Sequence, residues 1–369
     1  MAEHEIRRQL DRGVRKQSAG DLAGAAECFR AVLDQAPGEP DALHLLGAVT
    51  LQQGDSPTGI RLLAAAADAA PARWAFHRAL GRARFAAGDP EGAIAALRRA
   101  IEAKPDYHEA HWEIWSILGA TGRAPAAVQA LKARLQSLDD ATALASAASA
   151  PVRIEDTTLC CIDCRNGALA RRALRLSLRE CAFERALLLT DQALAAPGIE
   201  VRPIPTIGSS EAYSRFVMKD LRHHIDTDYV LLIQWDGYVV DGTAWSDEFL
   251  LYDYIGAPWS QNVAGDLVVG NGGFSLRSRR LLEALQDPAI PAGHPEDAHI
   301  CRRWRARLEQ LHGIAFAPEP IARRFSIEYV PAAGALFGFH GAANIARFVD
   351  DLAVRKVDFP VGQARPMSR

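Results

Sequence analysis

Long apolar runs are the first thing this chain lacks. No stretch reaches the roughly 18 consecutive apolar residues that span a bilayer, so no transmembrane segment is expected. The N-terminus, MAEHEIRRQLDRG, is charged and has no apolar core. It does not read as a secretory signal, and a cytoplasmic protein is expected. Charge of one sign is scarce too. The net charge is −3, which gives no global electrostatic case for nucleic acid or an anionic membrane as a partner. Cysteine is sparse, with six in 369 residues. Without an export signal these read as reduced thiols and not as a disulfide framework. Cys161 and Cys164 have C-x-x-C spacing, but no second pair and no histidine sit near them. Zinc is therefore not expected, and a redox role is the lesser reading beside small buried residues at a strand end. No G-x-G-x-x-G follows the first predicted strand and no Walker-type lysine loop occurs, which excludes two nucleotide-binding fingerprints.

What is present is a globular composition, 49% hydrophobic and 24% charged, in a chain long enough for two domains. The N-terminal part repeats. Gly20, Gly54, Gly88 and Gly122 recur every 34 residues, and Pro37, Pro71 and Pro105 keep the same interval. Asp21, Asp55 and Asp89 follow the first three glycines. Ala25, Gly59, Ala93 and Ala127 share one phase, and Phe29, Leu63, Leu97 and Leu131 another. A fixed 34-residue period is the mark of tetratricopeptide repeats. The glycine should end the first helix of each pair in a left-handed cap, the small residue should let the two helices close up, and the proline should stop the second helix. The fourth unit, Tyr107 to Leu138, lacks the terminal proline and reads as a cap. Such a stack forms a concave groove for an extended peptide or partner protein; docking within the chain or self-association is the other reading. The domain is expected over residues 1–140, followed by a small-residue linker over 141–156.

Residues 157–350 alternate strand and helix patterns. Strands are predicted at 158–162, 185–189, 199–203 and 229–233, and helices at 168–181 and 211–221. This implies a mainly parallel sheet covered on both faces. The best-marked strand is Tyr229–Ile233. It breaks into Gln234-Trp235-Asp236-Gly237, an acid at the carboxyl edge of a sheet, where open α/β folds bind ligands; Asp-Gly is also a common turn pair. Aromatic residues follow in DEFLLYDYIGAPWS. Gly270, Gly272 and Gly273 around Asn271 predict a backbone that something approaches closely. Glu296 and Asp297 open a helix after Pro295, where a general base could sit and where the helix dipole alone favours acids. His340 lies in FGFHG. Residues 351–369 form a tail, and RKVDFPVGQARPMSR reads as loose.

In this order, Q-W-D-G, D-Y-I-G-A-P-W, G-N-G-G-F-S-L-R-S, H-P-E-D-x-x-I-C and F-G-F-H-G resemble a bacterial GT-A-like glycosyltransferase family whose members often carry tetratricopeptide repeats in front. The resemblance covers about residues 157–348. It implies a nucleotide-diphosphate-sugar donor, a glycan or protein acceptor, and Mn²⁺ or Mg²⁺. Asp236 stands at the last acid of a D-x-D motif whose first acid is replaced by Gln234, and His340 stands where several such families place a second ligand to the cation. Asp163, Gln234, Trp235 and Gly237 are expected on the donor side. Asn271, Gly272 and Gly273 are expected as the wall facing donor sugar and acceptor. Asp297, or Glu296 as the lesser choice, would be the base of an inverting transfer. The competing expectation is a repeat-based interaction scaffold with an inactive transferase-like domain, which the missing first acid favours. The known repeat-fused protein GlcNAc transferases use a two-Rossmann-domain fold, for which this C-terminal half is too short.

Overall fold

The computed structural model describes residues 2–105, 107–138, 150–259, 269–328 and 334–358. The expected linker at 141–149 and the tail beyond 358 lie outside the described residues. The chain divides into two compact units, residues 1–131 with 349–369, and residues 132–348.

The first unit is a stack of helical hairpins: α1 (Ala2–Ser18), α2 (Leu22–Gln35), α3 (Pro40–Gln52), α4 (Ser56–Ala69), α5 (Trp74–Ala86), α6 (Pro90–Ala103), α7 (His108–Ala120) and α8 (Ala124–Ser137), whose last turns run into the second unit. Each hairpin turns at a periodic glycine, and all four have a positive φ, from +69° to +92°. A side chain is strained there, which explains the residue. The aspartate after each of the first three glycines then starts the next helix. Asp21, Asp55 and Asp89 accept hydrogen bonds from the amides of Gly24, Thr58 and Gly92 at 2.9, 3.1 and 2.9 Å. Helices α2, α4 and α6 stop within two residues of the periodic prolines. Ala25, Ala93 and Ala127 are fully buried between helices, as are Phe29, Leu63, Leu97 and Leu131 one turn on.

The expectation of a loose tail fails for its first residues. A short helix, Leu352–Arg355, leads into Val357, which is buried in the cluster around Ile94, Leu97 and Ile101 of α6. Arg98 donates to the carbonyls of Lys356 and Val357 at 3.1 and 2.6 Å. One apolar side chain and two carbonyls without a local partner are enough to tie the segment down.

The second unit is built on a six-stranded sheet in the order β3-β2-β1-β4-β7-β6. Strands β1 (Val152–Ile162), β2 (Cys181–Thr190), β3 (Glu200–Pro203) and β4 (Tyr229–Ile233) are mutually parallel, and β7 (Phe274–Ser278) and β6 (Tyr254–Gly256) add an antiparallel edge. Leu159, Cys160, Cys161, Leu187, Leu188, Leu231 and Leu232 are fully buried, as strands covered on both faces should be. Helix α9 (Gly167–Glu180) connects β1 to β2, and α10 (Ser210–Arg215) runs on through a π turn and a 3-10 turn to His224 before β4. Strand β1 begins at Val152, so the end of the expected linker is strand, with a register shift between Ile154 and Thr158 where Asp156 takes φ +48°. Three two-residue strands form a second, small sheet in the order β5-β9-β8: β5 (Tyr238–Val239), β8 (Ser326–Ile327) and β9 (Gly338–Phe339). Among the described residues no helix is long and apolar enough to cross a membrane.

Candidate functional site

The candidate site lies where β1 and β4 end. Beyond β4 the chain turns through Gln234 to Gly237 and pairs as β5 with β9, Tyr238 opposite Phe339. This pairing carries His340 to the turn. It needs glycine at 237, because a Cβ there would lie 2.6 Å from the Phe339 carbonyl oxygen. His340 Nε2 is 3.5 Å from Asp236 Oδ1 and 3.2 Å from Gln234 Oε1. Burial would pull the imidazole down, but the carboxylates of Asp236 and Glu328 outweigh it and hold His340 up at about 10. Asp236 Oδ1 is buried and accepts no hydrogen bond.

The glycine wall forms one side of this group. What approaches the glycines is the protein itself. A Cβ on Gly273 would be 2.1 Å from His340 Nε2, and one on Gly272 would be 2.5 Å from Glu296 Oε1. Asn271 is turned inward and does not face an open surface. It is buried, its Oδ1 accepts from the amide of Gly273 at 3.0 Å, and its Nδ2 donates to Glu328 Oε2 at 2.7 Å. The Tyr254 hydroxyl donates to the carbonyls of Gly270 and Asn271 at 2.8 and 3.1 Å, so the wall is held from behind.

The two acids after Pro295 have different surroundings. Glu296 is buried and pairs with the fully buried Arg277 at 3.2 Å, while Ser214 donates to its other oxygen at 3.3 Å. Both its oxygens are engaged, so it is poorly placed to receive a substrate proton. Asp297 is less enclosed. Burial, reinforced by the charge of Glu296, raises its carboxyl above the ordinary aspartate range, against the amides of Ala298 and Gly272 that favour the ionised form. A carboxylate with raised proton affinity beside a wall of backbone is what a general base requires.

A cavity of about 210 Å³ opens at the ends of β1 and β4, lined by Asp163, Arg165, Ile207, Tyr213, Gln234 and Trp235 among others. Gln234 belongs to both the cavity and the Asp236–His340 group. Asp163 has a local task first. Its Oδ1 accepts from the amides of Arg165 and Asn166 at 2.6 and 2.5 Å, which shapes the turn before α9. Cys164 borders the cavity, and burial pushes the Cys161 thiol well above its usual range, as expected of an inert core residue. All six cysteines are free.

Among the described residues, no three His, Cys, Asp or Glu side chains converge as a metal cage. The Asp236 carboxylate, the Gln234 amide oxygen and His340 Nε2 could nevertheless hold a hard divalent cation that takes its remaining ligands from a bound substrate's oxygens, as Mg²⁺ and Mn²⁺ do with phosphates. Asp236 Oδ1, which is buried beside His340 at 3.5 Å and accepts no hydrogen bond, is consistent with that donor set. Reasoning from the sequence missed Glu328 and Arg277. Arg277 lies inside the G-N-G-G-F-S-L-R-S motif but reads there only as its end, and Glu328 sits in no pattern that singles it out.

The first unit has a separate cavity of about 450 Å³ lined by Arg78, Arg82 and Phe85 of α5 and Glu113 of α7. Arg78 is already paired with Glu113 at 2.9 Å.

Comparison with known proteins matches two separate parts of the chain. Residues 10–73, 50–108 and 78–150 match the family model of the tetratricopeptide repeat. Residues 198–340 match the family described as "Protein of unknown function (DUF5672)". The chain thus carries N-terminal tetratricopeptide repeats, which suggest a protein or peptide partner, and a C-terminal domain of that uncharacterised family. None of the curated proteins matches it. Among solved structures it is similar to the MamA protein, with 25% identity over 32% of this chain and 66% of that one and a TM-score of 0.31. It is also similar to the first tetratricopeptide repeat of Spaghetti bound to an HSP90 peptide, with 20% identity over 32% and 93% and a TM-score of 0.30. A mutant of the Thermobaculum terrenum O-GlcNAc transferase is 21% identical over 63% of this chain and 46% of that one, with a TM-score of 0.32.

Proposed function

We propose that the second unit is a GT-A-like glycosyltransferase that moves a sugar from a nucleotide-diphosphate-sugar to an acceptor hydroxyl, and that the repeats bind the acceptor or a partner protein. The observation that carries this reading is the approach of Asp236 and His340 to 3.5 Å, from distant parts of the chain, beside a cavity at the carboxyl ends of β1 and β4.

On this reading the cavity takes the nucleotide, with Trp235 and Tyr213 as apolar walls and Arg165 as a cation for the diphosphate. Asp236, Gln234 and His340 would hold Mn²⁺ or Mg²⁺, which when bound offsets charge on a leaving diphosphate. Gly272 and Gly273 leave room for the Glu296 carboxylate and the His340 ring to pack against backbone, which fixes both beside the donor. The acceptor oxygen bonds to the anomeric carbon as the carbon–oxygen bond to the diphosphate breaks. The electron pair leaves with the diphosphate, and the hydroxyl proton passes to the Asp297 carboxylate. Attack from the face opposite the leaving group gives an inverted product.

The test is calorimetric titration with a panel of nucleotide-diphosphate-sugars in the presence of Mn²⁺. At least one donor should bind, and Asp236→Ala should lose that binding. If no donor binds and none is hydrolysed or transferred, the enzyme reading fails and the interaction scaffold stands.

A further inference from the structure

The cavity of about 450 Å³ in the first unit opens between α5 and α7, the first helices of the third and fourth repeats. Its floor is apolar and buried, made by Gly81, Leu97 and Ile117. Glycine at 81 lets α5 close on α6, since a Cβ there would lie 2.9 Å from Leu97 Cγ. The rim carries Arg82 and Phe85 of α5 and Ser116 of α7.

The 34-residue period explains why the cavity lies here. Val14, Ala48 and Ser116 share the phase of Arg82, and Gln17, Leu51 and Gly119 share that of Phe85. The fourth repeat thus presents serine and glycine where the second presents alanine and leucine. A Cβ on Gly119 would meet nothing within 4 Å, so this side of α7 is open. Phe85 is 40% exposed, an unusual state for a large apolar side chain. Arg82 is the charged member of its phase. It is exposed and has no ion-pair partner among the described residues. Arg78, one turn earlier, is held by Glu113 at 2.9 Å and lies over the Tyr107 ring at 5.4 Å. The lining therefore holds one compensated guanidinium and one that is uncompensated.

We propose that this cavity is the docking site for an acidic peptide segment: an apolar side chain enters beside Phe85, over Leu97 and Ile117, and a carboxylate two residues away lies on Arg82. Burial of the apolar side chain supplies most of the affinity. The ion pair at the rim adds little strength but sets the preferred charge. The spacing follows from two geometries. Residues three apart on a helix, such as Arg82 and Phe85, are neighbours with Cβ atoms about 5–6 Å apart. Side chains on one face of an extended chain recur at every second residue, about 6.6–6.8 Å. An apolar residue and an acid two apart therefore reach Phe85 and Arg82 from the same face. A basic residue in the acid's place would meet like charge, because the Glu113 carboxylate is already taken by Arg78.

This inference rests on the reading that the repeats bind a partner protein, and the experiment separates the two. Fluorescein-labelled glycine-serine peptides carrying phenylalanine and aspartate two residues apart are titrated with the full chain, and anisotropy is followed. Companion peptides replace the aspartate by asparagine or lysine, or the phenylalanine by alanine. The parent peptide should bind. Alanine for phenylalanine should weaken binding by about 10–100-fold. Asparagine for aspartate should weaken it by about 2–5-fold at low salt, a difference that added salt removes. In Arg82→Glu, whose fold is checked by its melting curve, the lysine peptide should bind ahead of the aspartate peptide. A merely structural role for Arg82 would weaken all peptides alike. Equal binding of the three charge versions, or an order that Arg82→Glu leaves unchanged, overturns the acidic specificity and leaves the partner reading intact. Binding of no peptide overturns both, while the sugar-transfer reading is judged by its own donor titration. A second copy of the chain is the rival occupant: a dimer in sedimentation velocity that Arg82→Glu dissociates would overturn the peptide.

Discussion

The buried pair Arg277–Glu296 allows a quantitative prediction. Arg277 has no solvent exposure, Glu296 is 6% exposed, and they meet at 3.2 Å. Arg277 also donates to Ser275 Oγ at 3.0 Å and to the Gly272 carbonyl at 3.4 Å. Replacing Arg277 with methionine keeps most of the volume but leaves the Glu296 carboxylate in a dry site without its counter-charge. Removing one partner of such a pair costs about 3–5 kcal/mol. In a domain of 150–250 residues each kcal/mol moves the melting temperature by roughly 2–4 °C, so the second unit should lose roughly 6–20 °C. The double variant Arg277→Met/Glu296→Met removes both charges and should recover most of the loss, since apolar replacement of a buried pair is often neutral or stabilising. The assay is thermal unfolding by circular dichroism, read as a double-mutant cycle. A single variant within about 2 °C of wild type, or a double variant no more stable than the single, would show that the pair does not carry the stability assigned to it.

Other consequences are more local. Asp297→Asn should reduce transfer by about 10²–10⁴-fold with donor affinity retained, measured by steady-state kinetics. It should also raise the melting temperature near neutral pH. A carboxyl whose folded pKa lies above its unfolded value favours folding fully only below the unfolded value, and that contribution is lost as pH rises through the folded one, so neutral pH holds a cost that asparagine removes. By the same shift, wild-type activity should rise with pH through a value above the ordinary aspartate range. Gly273→Ala should displace the His340 ring, which lies 2.1 Å from the new Cβ position, and should abolish Mn²⁺-dependent donor binding in the same calorimetric titration. In the repeats, Asp89→Ala removes the cap on Gly92 and should cost about 1 kcal/mol, read as a shift in the urea midpoint at constant slope.

How much of this was legible beforehand depended on how far each feature reached along the chain. The repeats were legible because their cause is periodic. A positive φ every 34 residues demands glycine every time, and the aspartate after the first three glycines caps a helix every time. Strand β4 could be read to the residue because Tyr229–Ile233 is an unbroken apolar run between polar neighbours. Strand β7 could not. Its five residues, FSLRS, are all buried, but Ser275, Arg277 and Ser278 are buried through partners elsewhere: Gly272, Glu296 and Asp253. Polar residues that are satisfied inside a core look like surface residues in a hydrophobicity pattern.

The site divides along the same line. Asp236, His340 and the glycines could be picked out because motifs preserve residue type. Their wiring could not, because it depends on strands two residues long, which leave no periodic trace. Glu328 is the extreme case. It is one acid in an ordinary stretch, and only the register Ile327 opposite Phe339 makes it the neighbour of His340. The Gly270–Gly273 cluster shows the converse. Its composition signalled a close approach, and within the protein the groups that come close are His340 and Glu296. A glycine cluster reports that space is needed without saying for whom. Here the space lets an imidazole and a carboxylate be packed against backbone at fixed positions.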